Sequence, residues 1–318
     1  MTAPRILVIK LSALGDFIQA SGAMEAIARK HAGARLTLLT TPPYEALARA
    51  SGLFDEIWTD GRRPWTDVAA ILRLIGRIRR AGFTRVYDLQ GADRTDRYFQ
   101  LLGPRPPPWC GTARGAAFRH PQPLRQQRHI QDVLAEQLAL AGVHDIPRPH
   151  LSWLTGDADR FGLPDPFALL IPGGAPHRPQ KRWPAASFAE LARKLAVVGV
   201  RPVVLGQGAE EEALAVAIQL VAPEAVSLVG QTTFGDIASL ARRACLVVGN
   251  DTGPMHVAAS AGAPALILFS SDSDPATSAP RPSRDGQAVE TLRVADLKDL
   301  SVDAVTEAVR DRLGLDVR

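Results

Sequence analysis

The sequence has few cysteines, no long apolar run and no leader-like segment. Its 318 residues include two cysteines, Cys110 and Cys245, so a disulfide framework is not expected and a reducing cytoplasm fits. No apolar run approaches the roughly 20 residues of a membrane span. The first apolar run, Ile6–Ile9, is too short for the core of a signal peptide, so we expect no leader.

Several motifs that reveal chemistry from sequence are also missing. There is no zinc-type spacing of cysteine and histidine, no Walker-type lysine loop and no serine of a nucleophile elbow. The segment Gly206–Glu210 fails the dinucleotide fingerprint, because Glu211 stands where the last glycine belongs. The sequence therefore predicts chemistry that needs no metal ion.

Positive charge is concentrated in the first half of the chain. Lysine and arginine number 37 overall and aspartate and glutamate 33, but residues 1–150 hold 21 basic against 13 acidic residues. That half has a net charge of +8 and the remainder −4, so the first half should attract an anionic partner. A phosphorylated lipid surface fits this charge. Nucleic acid is not expected as a partner, because the arginines are dispersed and no nucleic-acid motif occurs.

Strand-like and helix-like runs alternate along the chain, which predicts an α/β fold with parallel sheets covered on both faces. A proline-rich stretch at residues 145–166 marks a boundary. We expect two Rossmann-like, doubly wound domains, residues 1–155 and 156–318, facing each other across a cleft. The terminal helix, Val302–Leu313, is a candidate to pack back on the first domain. Ligands of such sheets bind beyond the carboxyl ends of the strands, so the loops that follow strands are the candidate sites.

The loop after the first strand, Lys10–Asp16, ends with Leu-Gly-Asp at the head of a helix. Gly15 permits close approach of the backbone. Asp16 has two interpretations, a cap on the helix N-terminus or a carboxylate that accepts a proton from a substrate hydroxyl. Spacing by itself favours the cap.

Two loops of the second half suit a nucleotide. Gly173 and Gly174 follow a strand and let the backbone approach a phosphate, and Lys181 lies just before a helix N-terminus. Glu210 stands at another strand end, where a carboxylate suits a ribose diol. Each has a plainer interpretation, with Lys181 as a solvated turn lysine and Glu210 as one of three glutamates at the positive end of a helix.

The segment Cys245–His256 combines a buried strand with the start of a helix. Its apolar run stops at a Gly-Asn-Asp turn, and a proline stands near the helix start, where it is tolerated. Thr252 and Gly253 let N–H groups face outward at the positive end of the helix, which predicts a phosphate or diphosphate site. The simpler alternative is a helix capped by Asp251 or Thr252, with His256 in solvent.

Together these segments resemble glycosyltransferase family 9, the ADP-heptose:lipopolysaccharide heptosyltransferases. The strongest piece is similar to the family's Gly-Asn-Asp-Ser/Thr-Gly-x-x-His, and the order and spacing fit over nearly the whole chain. The segments that carry the resemblance are Lys10–Asp16, Asp88–Gly91, Pro172–Gly174 with Lys181–Pro184, Gly206–Glu210, and Gly249–His256 running into Ala258–Pro264.

The resemblance implies the GT-B fold and inverting transfer of a heptose or related sugar from an ADP-linked donor to the core or lipid A part of lipopolysaccharide, without a metal. It implies a first domain that binds the acceptor and a second that binds the nucleotide sugar. Asp16 would be the general base, Glu210 would bind the ribose and Asp251 the sugar hydroxyls. The donor diphosphate and the leaving charge would be held by Gly173, Gly174, Lys181, Thr252, Gly253 and His256.

The chain departs from the family after its last strand. Phe269 is followed by Ser270–Ser273 where members usually have Phe-Gly-Pro-Thr, which leaves the identity of the donor sugar open. Two alternatives remain, a transferase for another nucleotide sugar or acceptor, and a nucleotide-sugar-binding protein without transfer activity. Asp16 argues against the second alternative, because a pure binder has no need of a base.

Two arginines are candidate ligands for the acceptor. Arg94 and Arg97 follow the strand end at Asp88–Gly91, where a ligand is expected. Arginine suits phosphate because its planar fork donates two hydrogen bonds at once. We expect the first domain to dock on an anionic, phosphorylated glycolipid as a peripheral protein on the cytoplasmic face of the inner membrane.

Overall fold

The computed structural model describes residues 3–121, 127–174 and 177–313. It divides the chain into two compact units, Met1–Pro147 and Arg148–Arg318. Each unit is built on one six-stranded parallel sheet with helices. The predicted α/β fold with two doubly wound sheets is confirmed.

The division lies inside the predicted proline-rich boundary, somewhat before residue 155. The segment that starts the second unit is held to it by its own backbone. The Leu151 N–H donates to the Ser260 carbonyl at 2.9 Å, and the Arg242 guanidinium donates to the carbonyls of Leu151 and Leu154. These bonds tie residues 148–156 to the second unit rather than the first.

The strands of the first unit stand in the order β3-β2-β1-β4-β5-β6, and all of them pair in parallel. Its strands are β1 (Arg5–Ile9), β2 (Arg35–Thr40), β3 (Glu56–Thr59), β4 (Arg85–Asp88), β5 (Trp109–Gly111) and β6 (Phe118–Arg119). Its helices are α1 (Leu14–Gln19), α2 (Ser21–Lys30), α3 (Glu45–Ala50), α4 (Val68–Arg80), α5 (Asp93–Leu101) and α6 (Ile130–Ala139), with a 3₁₀ turn at Pro42–Tyr44.

The second unit repeats this order as β12-β11-β10-β7-β8-β9, again all parallel. Its strands are β7 (Phe167–Ile171), β8 (Arg201–Val204), β9 (Val226–Ser227), β10 (Leu246–Asn250), β11 (Ala265–Phe269) and β12 (Val289–Arg293). Its helices are α7 (Ala185–Val197), α8 (Ala209–Val221), α9 (Phe234–Arg243), α10 (Gly253–Ser260), α11 (Pro275–Ser278) and α12 (Val302–Leu313), with 3₁₀ turns at Asp159–Phe161, Pro179–Lys181 and Leu297–Asp299.

The strand order fixes where ligands can bind. Chain order reverses between β1 and β4 in the first sheet and between β7 and β10 in the second. Such a reversal opens a crevice at the carboxyl ends of the two central strands, because their following helices pass to opposite faces. The loops after β1, β4, β7 and β10 are therefore the candidate loops of the two units.

The central strands β1, β7 and β10 are mostly apolar, as expected for sheets covered on both faces. Every residue of β7 and of β10 is buried. The terminal helix α12 places Val305 and Val309 in the core of the second unit, beside α7. The apolar runs of the sequence give no signal for β5, β6 and β12, because β5 and β6 are short and β12 is a half-buried edge strand without a continuous apolar run. No helix among the described residues is long and apolar enough to cross a bilayer.

Candidate functional site

Asn250 ties both ends of the β7–α7 connection to the end of β10, at the reversal point of the second sheet. It ends β10 and is fully buried. Its side-chain oxygen accepts a bond from the Trp183 N–H at 3.0 Å, and its side-chain nitrogen donates to the Pro172 carbonyl at 2.8 Å. One amide thus fixes the loop after β7 and the entry to α7 against the end of β10. The preceding Gly249 has no room for a Cβ, which would lie 2.7 Å from the Ile171 Cβ.

Lys181 and Asp251 form an ion pair beside this junction. Lys181 Nζ lies 2.6 Å from Asp251 Oδ2, and the two side chains are 11% and 10% exposed. Ser273 Oγ donates to the same carboxylate oxygen at 2.8 Å. Burial acts to raise the pKa of Asp251, but the contacts from His256 and Lys181 outweigh it and hold that pKa below its ordinary value. Asp251 is therefore ionised across the neutral pH range. Lys181, 11% exposed and paired with it, is not a solvated turn lysine.

Helix α10 presents its positive end at the same place. Thr252 is the N-cap residue, yet no side chain caps the helix. His256 is 6% exposed, its Nε2 lies 3.9 Å from Asp251 Oδ1, and its Nδ1 has no hydrogen-bond partner among the described residues. Of the simpler alternative, Thr252 does occupy the N-cap position but its side chain makes no capping bond, and the expected solvated histidine is wrong because His256 is buried.

The backbone of the loop after β7 adds donors. Nothing in the described chain accepts a hydrogen bond from the N–H groups of Gly173 and Gly174. Glycine N–H groups, an uncapped helix end and a lysine are the usual parts of a phosphate site. The arrangement offers the hydrogen-bond donors that a phosphate-type anion needs and can stabilise negative charge as it develops.

The three glutamates at the start of α8 are not equivalent. Glu210 forms an ion pair with Arg182 and is half exposed. Glu211 instead lies between the loops after β7 and β8, because a Cβ on Gly173 would stand 2.8 Å from its Oε1 and one on Gly206 would stand 2.6 Å from its Cβ. The structure thus adds Glu211 as a second candidate for the ribose contact predicted for Glu210.

At the reversal point of the first sheet, Gln90 joins the loops after β1 and β4. Its side-chain oxygen accepts bonds from the N–H groups of Leu11 at 2.9 Å and Ser12 at 3.1 Å. Lys10 is fully buried and its Nζ donates to the Leu89 carbonyl at 3.4 Å. Thr41 Oγ1 donates to the Leu11 carbonyl at 2.8 Å from the β2 side. The loop that leads to Asp16 is thus held from both sides.

Asp16 lies in the first turn of α1 and is half-buried. The capping interpretation is wrong, because the N-cap residue is Ala13 and no side chain caps this helix. Within residues 3–121, 127–174 and 177–313, no group donates a hydrogen bond to the Asp16 carboxylate or pairs with it. Arg62 Nη1 donates to Ser12 Oγ at 3.1 Å and brings a cation to the same loop. A carboxylate without a partner at a strand end can accept a proton.

Asp88 supports the loop after β4 from below. It is fully buried, and its Oδ1 accepts bonds from the N–H groups of Gln90 at 3.0 Å and Gly91 at 3.1 Å. Burial raises the pKa of Asp88 from 3.8 to about 6. Since this pKa is raised on folding, the stability that the group contributes is present below about pH 4 and is lost as the pH rises through about 6.

The two predicted acceptor arginines have different surroundings. Arg94 is 15% exposed on its side chain, and its Nε lies 3.2 Å from the buried carboxylate of Asp60, which also accepts a bond from the Tyr98 hydroxyl. Arg97 is exposed, with its guanidinium carbon 5.1 Å from the centre of the Trp65 ring. Arg94 therefore holds the loop after β3 in place, and Arg97 is the more available of the two. Their contact with an acceptor stays a prediction.

These features define a class. Two doubly wound parallel sheets in separate units are typical of transferases with the GT-B fold. The chain belongs to glycosyltransferase family 9 (heptosyltransferase), whose sequence model matches residues 124–299, more than half of the chain. The predicted family is confirmed.

Curated relatives match parts of the chain. Lipooligosaccharide heptosyltransferase 2 of Haemophilus influenzae is 34% identical over 101 residues, which are 30% of this chain and 29% of that protein. Lipopolysaccharide heptosyltransferase 2 of Escherichia coli is 32% identical over 161 residues, 46% of each chain. The chain thus aligns with less than half the length of either relative.

Solved structures match nearly the whole fold. A family 9 glycosyltransferase from Veillonella parvula is 22% identical with a TM-score of 0.79, over 98% of this chain and 97% of that one. ADP-heptose lipopolysaccharide heptosyltransferase II from E. coli is 20% identical with a TM-score of 0.77, over 97% and 98%. An E. coli heptosyltransferase with ADP-2-deoxy-2-fluoro heptose is 17% identical with a TM-score of 0.75, over 96% and 99%. These likenesses establish the GT-B fold.

Proposed function

We propose that this chain is an inverting glycosyltransferase that moves a heptose, or a related sugar, from an ADP-linked donor to the core or lipid A part of lipopolysaccharide. The observation that carries the proposal is the buried Lys181–Asp251 pair beside the uncapped end of α10. An ADP-linked heptose is favoured because an E. coli neighbour is solved with such an analogue and the curated relatives are lipopolysaccharide heptosyltransferases.

The second unit would bind the donor. Its diphosphate would take bonds from Lys181 and from the N–H groups of Gly173, Gly174 and Gly253, with Thr252 and His256 beside them. As the bond between the anomeric carbon and the diphosphate oxygen breaks, negative charge grows on the leaving ADP. Hydrogen-bond donors that are already positioned around that charge lower the activation barrier. A lysine would stabilise the charge in this way without a metal ion.

The first unit would bind the acceptor and supply the base. Asp16 would take the proton from the attacking hydroxyl, which makes that oxygen a better nucleophile for the anomeric carbon. Attack and departure of ADP on opposite faces form one bond and break another in one displacement, so the configuration at the anomeric carbon inverts.

A related sugar is the second candidate donor. Ser273 belongs to the segment that departs from the family, and its hydroxyl donates to Asp251 at 2.8 Å. Asp251 is the residue assigned to the sugar hydroxyls, so the departing segment touches the group that would recognise the sugar. This contact makes the departing segment a candidate determinant of which sugar the protein takes.

A transfer assay tests the proposed function. Purified protein is incubated with ADP-heptose or another ADP-sugar and a truncated lipopolysaccharide acceptor, with excess chelator, and ADP release and product are measured. We expect acceptor-dependent ADP release that survives the chelator, and a product of inverted anomeric configuration. Activity that is lost with chelator and restored by magnesium would contradict the metal-free mechanism, and absence of transfer from all donors would contradict the function.

We also propose that the first unit docks on an anionic glycolipid surface. Support comes from the net charge of +8 over residues 1–150 and from the exposed Arg62, Arg63 and Arg97, of which Arg62 donates to Ser12 in the loop that leads to Asp16. Charges at a surface are screened over about 8–10 Å at ordinary salt, so docking should weaken as salt rises.

Sedimentation with liposomes measures this docking. We expect binding to anionic vesicles, little to neutral ones, and a decrease from low to high salt. Arg97→Ala should weaken binding, and Arg193→Ala, which removes an arginine of the second unit that pairs with Glu190, is the matched control. Binding that ignores lipid charge and salt would rule out an electrostatic dock.

A further inference from the structure

We propose that Gln90 is a positioning residue for the base, because its side-chain oxygen fixes the loop on which Asp16 stands. This inference rests on the proposed function, in which Asp16 takes the proton of the acceptor. Gln90 itself follows β4, not β1, so it acts on Asp16 through the backbone of another loop. Sequence analysis gave Gln90 no role beyond its place in the Asp88–Gly91 motif.

The first step of the argument is the convergence of two N–H groups on one oxygen. Gln90 Oε1 accepts from the N–H groups of Leu11 and Ser12, at 2.9 and 3.1 Å. Two successive backbone N–H groups aimed at one point form a small concave site for an oxygen with negative charge. In this unit the chain's own glutamine fills that site, and four residues later the chain reaches Asp16.

The second step is that Gln90 is itself held rigidly. The buried Asp88 carboxylate accepts the N–H groups of Gln90 and Gly91, which fixes the turn after β4. Since β1 and β4 are paired strands, with Ile9 opposite Asp88, the two loops start from the same level of the sheet. Asp88 therefore fixes Gln90, Gln90 fixes the loop after β1, and that loop positions Asp16.

The third step concerns the other reversal point. Asn250 occupies the corresponding strand end of the second unit, but its amide nitrogen donates to the carbonyls of Pro172 and Gly173. The N–H groups of Gly173 and Gly174 are left for a ligand. The side-chain oxygen of Gln90 thus occupies the two N–H groups of the first unit. The side chain of Asn250 accepts no bond from the N–H groups of Gly173 and Gly174, which stay available to a ligand. The first reversal point is built to orient a protein loop, not to hold a phosphate.

Three variants separate positioning from general stability. Gln90→Met keeps the length of the side chain and removes the acceptor oxygen, and Gln90→Glu restores an acceptor. Gln100→Met, on the exposed side of α5, is the matched control. For each variant, kcat of transfer, the Kd for ADP, and hydrogen exchange of the segment with Leu11 and Ser12 are measured.

We expect Gln90→Met to lower kcat by about 10²-fold, since small displacements of a catalytic group cost this much. Its Kd for ADP should stay at the wild-type value, because ADP binding belongs to the second unit. Exchange at Leu11 and Ser12 should rise by about 3- to 10-fold, the effect of losing a neutral hydrogen bond. Gln90→Glu should recover most of kcat and of the protection, and Gln100→Met should match the wild type.

The readouts fail in different ways. Unchanged exchange at Leu11 and Ser12, or a kcat equal to that of Gln100→Met, would overturn the positioning role. So would a folded Gln90→Glu protein as impaired as Gln90→Met, because the acceptor oxygen would then not be the cause. If the wild type transfers no sugar, the proposed function fails, and the exchange data still decide whether Gln90 holds the loop.

Discussion

Replacing Asp16 with asparagine should lower kcat of sugar transfer by about 10²–10⁴-fold, the usual contribution of a positioned base. The reason is structural: Asp16 follows the loop after β1, at the reversal point of the first sheet, and has no partner among the described residues. The Kd for ADP should not change. Steady-state kinetics with a saturating ADP-sugar and calorimetry with ADP measure the two quantities.

The control for this prediction is Asp93→Asn. Asp93 is likewise an acid in the first turn of a helix of the first unit, and it has no role in the proposed mechanism. It should keep wild-type kcat. If Asp16→Asn behaves like Asp93→Asn, Asp16 only favours the positive end of α1, and the base must be sought elsewhere.

Replacing Lys181 with methionine should raise the Kd for ADP by about 10- to 100-fold, the effect of losing a hydrogen bond from a charged group. The Kd for AMP should rise less, because the lysine is assigned to the diphosphate. Calorimetry with ADP and AMP measures both. Lys194→Met is the matched control, since Lys194 lies in the same unit and pairs with Asp303.

A lone Lys181→Met change leaves the Asp251 carboxylate buried without its cation, which destabilises the fold. The double variant Lys181→Met with Asp251→Asn removes both charges and keeps the test possible. Asp251→Asn by itself should bind ADP at least as tightly as the wild type, because the lysine is then no longer shared with a carboxylate. If Lys181→Met, Asp251→Asn and the double variant all bind ADP with the wild-type Kd, Lys181 does not belong to the diphosphate site.

Much of the fold was predictable because it depends on local patterns. Apolar runs bounded by glycine and proline located β1, β7 and β10, and alternation with helices gave two parallel sheets. The positions of these strand ends were enough to predict the loops that carry Asp16, Lys181 and Thr252, without any knowledge of contacts. What the sequence could not supply was the partner of each side chain, since Lys181 and Asp251 are 70 residues apart in the chain.

Helical phase was a signal that sequence analysis left unused. Glu211 precedes Ala215 and Ile218 by four and seven residues, and both of these are buried in α8. That spacing places Glu211 on the inward face and Glu210 outside it. Likewise Arg94 lies one helical turn before the buried Tyr98, so both stand on the inward face of α5. Arg97 lies on the exposed side of that helix.

The Lys181–Asp251 pair has a consequence for selectivity. Asp251 is part of the folded chain beside Lys181, so its carboxylate competes with every incoming anion for the lysine. The local concentration of that carboxylate is fixed by the fold and does not depend on the solution. An anion that makes a single contact with Lys181 only replaces the Asp251 carboxylate, so the number of contacts does not rise. A diphosphate that also engages the glycine N–H groups and the end of α10 gains contacts that the carboxylate does not make. If the donor diphosphate binds here as proposed, the site would select by the number of simultaneous contacts, and abundant small anions would leave it empty for the donor.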